Sequence, residues 1–202
     1  MLTIALPKGR IADETLDKFE KAFGEKFIFE NRKLILEKAG FKFLNVRNQD
    51  VPTYVMHGAA DLGVVGLDVL EEKEYDLIKL LDLELGRCKV AFGLRKGEQL
   101  DFSKSKITVA TKHEKIAKKF FEQKAMAVEI IKLYGSIELA PLVGLCDCIV
   151  DIVETGETMK QNGLEVGPTI MESSAHLIAN KNSFYAKKDL ILDLKERIEV
   201  HL

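Results

Sequence analysis

No apolar run in the 202-residue sequence is long enough to cross a bilayer. The opening residues, Met1-Leu2-Thr3-Ile4-Ala5-Leu6-Pro7-Lys8-Gly9-Arg10, lack the charged region, apolar stretch and small-residue cleavage site of a signal peptide. Three cysteines (Cys88, Cys146, Cys148) are too few for a dense disulfide framework, so a cytoplasmic location is the expectation. Neither sign of charge is in excess: 30 Lys and Arg face 32 Asp and Glu, for a formal net charge of -2. A nucleic-acid binder usually carries a basic surplus, so neither nucleic acid nor membrane is expected as a partner. The glycines complete no Gly-x-Gly-x-x-Gly fingerprint, and no Walker A pattern occurs. The histidines (His57, His113, His176, His201) are scattered, and no Ser-His-Asp or Cys-His nucleophile arrangement is evident. Cys146 and Cys148 would share a face if both lay on a strand. A zinc site needs about four ligands, and no second cysteine pair supplies them, so core packing is expected there.

What is present describes an ordinary globular chain, 47% hydrophobic and 31% charged, able to bury a real core. Its length suits one large domain or two small ones sharing a cleft. Short apolar runs alternate with amphipathic stretches throughout. Residues 2–6 read as a buried strand, broken at Pro7-Lys8-Gly9, and a helical period follows with Ile11, Leu16, Phe19 and Phe23 approximating one face. Further strands are expected at 41–46, 61–65, 88–94, 107–110, 128–133, 148–153 and 175–179. Helices are expected from Asp50-Val51-Pro52, where Asp caps free amides and Pro suits the first turn, and at 67–72, 115–123, 138–143 and 158–162. A last helix at 187–200 places Leu190, Leu194 and Ile198 on one side. This alternation argues for an α/β architecture with mainly parallel sheets. The Lys-, Gly- and Ser-rich segment 93–105 is the expected surface connection between two lobes, and the basic run 112–119 reads as a solvated helix face.

The sharpest feature is Cys148-Ile149-Val150-Asp151-Ile152-Val153-Glu154-Thr155-Gly156-Glu157-Thr158-Met159, an apolar strand ending in carboxylates before a Thr-Gly-x-Thr turn that opens a helix. Such a turn suits a phosphate: helix-start amides are unpaired, Gly156 permits close approach, and Thr155 and Thr158 offer hydroxyl donors. A side chain at 156 is then expected to crowd the phosphate. Asp151 or Glu154 can face ribose hydroxyls. An ordinary helix cap by Thr155 or Thr158 is the competing reading of the same residues. Lys8 and Arg10 add cations at a strand-to-helix turn, where open α/β sheets present their ligand crevice, and Arg32 and Lys33 add two more.

Taken together, ordered stretches of the chain resemble the ATP phosphoribosyltransferases, which open histidine biosynthesis. They are Leu6-Pro7-Lys8-Gly9-Arg10, Arg32-Lys33-Leu34, Asp50-Val51-Pro52-Thr53-Tyr54-Val55, Gly58-Ala59-Ala60-Asp61-Leu62-Gly63 and Gly66-Leu67-Asp68-Val69-Leu70. Lys132-Leu133-Tyr134-Gly135-Ser136, Glu138-Leu139-Ala140-Pro141-Leu142-Val143-Gly144-Leu145 and the loop through Asn162-Gly163-Leu164 complete the set.

The resemblance implies two lobes of the type II periplasmic-binding-protein kind with a central cleft. The first would be residues 1–86 with 172–202, the second residues 87–171 carrying the donor loop. It implies a glycosyltransferase joining N1 of the ATP adenine to C1 of phosphoribosyl pyrophosphate, with release of pyrophosphate and help from Mg²⁺ held mainly by substrate phosphates. Glu154, Thr155, Gly156, Glu157 and Thr158 would bind the 5′-phosphate, with Asp151 or Glu154 near the ribose. Arg10 and Arg32 would face the leaving pyrophosphate, Lys8 a phosphate of either substrate, and Asp68, Glu138 and Tyr134 other substrate contacts, Tyr134 beside a purine. The chain resembles the short form, which lacks a regulatory domain and works as a homodimer within a hetero-oligomer, with a subunit resembling histidyl-tRNA synthetase. Two other readings share parts of this pattern: a cytoplasmic two-lobed small-molecule sensor, and a salvage-type phosphoribosyltransferase.

Overall fold

The first strand is apolar at nearly every position because it has neighbours on both edges and cover on both faces. In the computed structural model, which describes residues 1–202, β1 (Leu2–Pro7) pairs in parallel with two other strands. Its alternate residues serve different clusters: Leu2, Ile4 and Leu6 join a core with Leu16 and Phe19, while Ala5 joins Val51, Val55 and Val65 on the opposite face. α1 (Arg10–Phe23) follows, burying Ala12, Thr15, Leu16 and Phe19 and ending at Gly24, whose φ of 71° lets its N–H reach the Glu20 carbonyl. β2 (Ile35–Lys38), β3 (Phe41–Val46), α2 (Val51–Met56), β4 (Leu62–Gly66), α3 (Leu67–Lys73) and the long β5 (Ile78–Arg95) come next. Then follow β6 (Ile107–Thr111), α4 (Glu114–Gln123), β7 (Val128–Lys132), α5 (Leu139–Leu142), β8 (Cys148–Val153) and α6 (Glu157–Gln161). β9 (Leu164–Ala179), α7 (Lys181–Ala186) and α8 (Lys188–Glu199) close the chain.

The chain divides into two compact units, Met1–Gly86 with Ser174–Leu202, and Arg87–Ser173. It passes from one to the other inside β5 and again inside β9. Segment 93–105 therefore does not connect lobes, as its composition suggested; it runs from β5 to β6 within the second unit. In the first unit the strand order is β2-β3-β1-β4-β9, with β3, β1 and β4 parallel and β2 and β9 antiparallel to their neighbours. In the second the order is β5-β8-β6-β7, with β8, β6 and β7 parallel and β5 antiparallel to β8. Both units are thus mixed α/β layers built around parallel strands.

Several local expectations change. Asp50 precedes α2 but makes no side-chain cap, because a 3-10 turn over Asn48–Asp50 already winds the backbone into the helix. In α8 the buried face is Ile191, Leu194 and Ile198, and Leu190 is exposed. Cys146 lies just before β8 in a different apolar cluster from Cys148, so the two do not share a strand face; burial pushes the Cys148 thiol up to about 12.

The returning segment is tied down by polar groups. Asn180 caps α7 by accepting from the Ser183 N–H at 3.0 Å and donates to the Val55 carbonyl at 2.9 Å. The buried Asp61 accepts from Lys187 Nζ at 2.8 Å on both oxygens and from the Thr3 N–H at 2.9 Å. Burial alone would raise the Asp61 pKa, but hydrogen bonds from Lys187, Thr3 and Ser183 outweigh it and hold the carboxyl below its ordinary 3.8. A depressed folded pKa contributes stability that is fully present above the unfolded value and is lost as the pH falls through the folded one. Lys187→Met is expected to cost about 1.5–3 kcal/mol at pH 7 and to flatten the loss of stability in acid, measured by urea unfolding from pH 7 downward. Wild-type stability at neutral pH, or an unchanged acid slope, would contradict this role.

Candidate active site

In the second unit the sequence motif becomes a cavity of about 340 Å³. β8 is buried along its apolar run, and its register with β6 (Thr111↔Val150) brings Asp151 to the carboxyl edge of the sheet. The chain then turns through Glu154, Thr155 and Gly156 into α6. Gly156 sits at φ 81° and ψ 0°, a left-handed conformation that glycine adopts without steric cost. Glu138, Asp151, Glu154, Thr155, Gly156 and Thr158 line the cavity, with Val153 and Met159 as apolar wall.

The competing reading, a cap of the helix by Thr155 or Thr158, is not borne out, because Gly156 stands at the N-cap position of α6. The Thr155 hydroxyl accepts from the Glu157 N–H at 3.3 Å, while α6 itself has no side-chain cap. α6 has only five residues, so its macrodipole is small, and the turn's donors are its individual N–H and hydroxyl groups. Thr155 and Thr158 are both exposed. Glu157 does not line this cavity. With Lys96, Lys160 and Glu165 it lines a second one, of about 430 Å³, which also touches Thr155 and Gly156.

Asp151 is a half-buried carboxylate of the cavity. Lys112 Nζ lies 3.1 Å from its Oδ1, and the buried His113 places Nε2 3.8 Å from the same atom. Neither residue was a site candidate from sequence, where the run 112–119 reads as a solvated face. Lys115, Lys118 and Lys119 do lie exposed on α4, but Lys112 and His113 precede that helix at the end of β6. Glu138 stands at the start of α5 and is half-buried. Tyr134, 85% exposed, is outside the cavity and neither packed nor enclosed; the Lys132 ammonium lies 5.7 Å from its ring centre.

The remaining candidates belong to the first unit, where they gather at the carboxyl edge of its parallel strands. Lys8 follows β1, and its N–H bonds the Val46 carbonyl at 2.8 Å. Arg10 opens α1, exposed, with Glu14 Oε1 at 3.8 Å from its Nε. Asp68 is buried in the first turn of α3, directly after β4. Arg32 lies in the turn before β2, beside the end of β3, because the Asn45 N–H bonds the Leu34 carbonyl at 2.8 Å. The structure adds Arg47 to this edge, an exposed cation directly after β3 that sequence reading passed over. Its signal was positional: a cation at the end of a parallel strand, next to Val46.

Comparison with known proteins decides what this arrangement belongs to. The sequence profile of HisG, ATP phosphoribosyltransferase, matches residues 47–200. The ATP phosphoribosyltransferase of Wolinella succinogenes is 68% identical over 197 residues, 98% of this chain and 96% of the relative. The chain belongs to the ATP phosphoribosyltransferase family. Among solved structures it is similar to the ATP phosphoribosyl transferase (HisG:HisZ) complex from Thermotoga maritima, with a TM-score of 0.84 and 35% identity over 98% of this chain and 97% of that one. Similarity of fold alone extends to the probable amino-acid ABC transporter extracellular-binding protein ytmK from Bacillus subtilis. There the TM-score is 0.60 at 11% identity, over 98% and 91% of the two chains. The family fold is therefore of the type II periplasmic-binding-protein kind, as the resemblance implied, and the polar cavity at the turn after β8 sits in the chain of a transferase.

Proposed function

We propose that the chain transfers the phosphoribosyl group of phosphoribosyl pyrophosphate to N1 of the ATP adenine, releasing pyrophosphate in the first step of histidine biosynthesis. Family membership supports this over a two-lobed sensor or a salvage-type transferase. The observation that carries the placement of the donor is the cavity in which Thr155, Gly156 and Thr158 stand beside Asp151 and Glu154. Hydroxyl and amide donors there suit the 5′-phosphate, and the carboxylates suit the ribose hydroxyls.

The nucleophile is a ring nitrogen with its own lone pair, so no general base is required. Catalysis then rests on orientation and on stabilising charge at the departing pyrophosphate. Arg10 and Arg32 are the proposed contacts to that group, Lys8 serves a phosphate of either substrate, and Arg47 joins them at the same edge. Asp68, Glu138 and Tyr134 remain proposed substrate contacts, and Glu157 contributes to the loop through its backbone. The two compact units are the proposed catalytic lobes, the second carrying the donor loop.

Enzymes of this family need a metal ion, and Mg²⁺ is the proposed one. No group of three or more His, Cys, Asp or Glu side chains could hold a metal, so the ion is proposed to sit mainly on the substrate phosphates. Such an ion would neutralise phosphate charge. The HisG:HisZ complex of Thermotoga maritima supports a HisZ-like regulatory partner. That this partner resembles histidyl-tRNA synthetase, and that the chain is a homodimer within the hetero-oligomer, are parts of the proposal. No helix is long and apolar enough to cross a membrane, and the cytoplasm is the proposed location.

The test mixes the chain with ATP, phosphoribosyl pyrophosphate and Mg²⁺, with and without the regulatory partner, and follows the N1-linked adduct by absorbance. Adduct formation, fastest with the partner present, is expected. Turnover of a free base with no adduct in either mixture would overturn the reading.

A further inference from the structure

We propose that Lys112 is a positioning residue of the donor site, fixing the Asp151 carboxylate so that one oxygen is held back in the protein and the other is presented to the donor ribose. This rests on the donor-site reading of the cavity and assigns a part of it to the turn after β6.

β6 and β8 are parallel neighbours with Thr111 opposite Val150, so the next residues, Lys112 and Asp151, emerge together at the carboxyl edge. The turn that carries Lys112 is anchored by a single buried hydroxyl. Thr111 Oγ1 donates to the Val150 carbonyl at 2.6 Å and accepts from the His113 N–H at 2.8 Å, tying β8, β6 and the start of α4 to one another. His113 is only 2% exposed, so its ring is a fixed wall rather than a mobile surface group.

The carboxylate is asymmetric in this setting. Asp151 Oδ1 is buried, with no hydrogen-bond partner in the protein, yet it has Lys112 Nζ at 3.1 Å and His113 Nε2 at 3.8 Å. The side chain as a whole is 18% exposed, so that exposure belongs to its atoms other than Oδ1, on a residue that lines the cavity. An ammonium that attracts Oδ1 without saturating it orients the group and leaves Oδ2 as an acceptor for ribose O–H donors. The Lys112 side chain is itself 41% exposed, so the pair is screened and adds little to folding stability. Its effect is on the orientation of the acceptor, which is felt only when a donor arrives.

A double-mutant cycle on the chain with its regulatory partner tests this, using Lys112→Met, Asp151→Asn and the pair, with donor KM, ATP KM and kcat measured separately. Lys112→Met is expected to raise the donor KM about threefold to tenfold with ATP KM unchanged, and to add less than about twofold in the Asp151→Asn background. Lys112→Arg should restore most of the donor affinity. If a variant is too slow for kinetics, calorimetric binding of phosphoribosyl pyrophosphate supplies the same cycle. A wild-type donor KM for Lys112→Met, or an equal rise in both backgrounds, overturns the proposal while leaving the donor site in place. A wild-type donor KM for Asp151→Asn instead overturns the assignment of Asp151 to the donor and the proposal with it.

Discussion

Replacing Gly156 by valine is expected to weaken binding of the phosphoribosyl donor at least about tenfold, a loss of about 1.4 kcal/mol or more. Two costs meet at this position. A non-glycine residue in the left-handed region costs about 1–2 kcal/mol, and a β-branched one is the least suited to it. A Cβ built on Gly156, at φ +81°, would also lie 2.9 Å from Val166 Cγ2. From sequence, the added side chain is expected to press on the phosphate itself. The structure adds a further reason: the side chain presses on β9, and the turn must leave its present backbone path to relieve the contact. Thr155 and Thr158, the proposed phosphate contacts, are then displaced. Calorimetric titration with phosphoribosyl pyrophosphate measures the loss, and thermal melting separates it from unfolding. Adding Val166→Ala to Gly156→Ala should recover part of the affinity, since it removes the atom in the way. Undiminished binding in Gly156→Val would take the turn out of the donor site.

Phe19→Ala is expected to cost about 3–5 kcal/mol of stability, the largest effect of any single truncation in the first unit. Phe19 is fully buried. Its ring meets Phe43 at 5.1 Å, Phe41 at 5.4 Å, Phe23 at 5.8 Å and Phe27 at 6.2 Å between centres, three of the four edge-to-face. Edge-to-face pairs add to area burial, and a hub with several of them has no neighbour free to collapse into the space left behind. At this chain length the cost corresponds to a fall in Tm of about 6–20 °C. Urea unfolding followed by circular dichroism gives the free energy. A loss below about 1 kcal/mol would mean that the cluster repacks, and that α1 is held by something other than its aromatic face.

The parts of the fold that could be read in advance are those where chemistry and burial coincide along the chain. β1 and β8 are apolar runs with neighbours on both edges, and the α1 face follows a helical period. β2 escaped notice because it is an edge strand whose side chains are mostly exposed, so no apolar pattern marks it. β5 and β9 were legible only over their apolar ends, 88–94 and 175–179. Their other portions carry charged and polar residues such as Asp82, Glu84, Glu165 and Glu172, which sheet pairing tolerates but periodicity does not reveal. The same limit governs the site. The turn from Glu154 to Thr158 is contiguous and announces itself. The approach of Lys112 and His113 to Asp151 depends on β6 and β8 lying side by side, which only topology supplies.

The route of the chain through its two units has a consequence during synthesis. The first unit draws on both ends of the polypeptide, whereas the second is one continuous stretch, Arg87–Ser173. A ribosome delivers residues in order, and domains generally fold as units once their residues are available. The second unit, with the turn after β8, can therefore close while the N-terminal strands still wait for β9, α7 and α8. Until Lys187 and Asn180 emerge, Asp61 has no ammonium to pair with, and β4 has an open edge where Ala175 to Ala179 will dock. The N-terminal half, first made, is the last to be finished, and its unpaired β4 is the edge exposed to wrong partners in the interval.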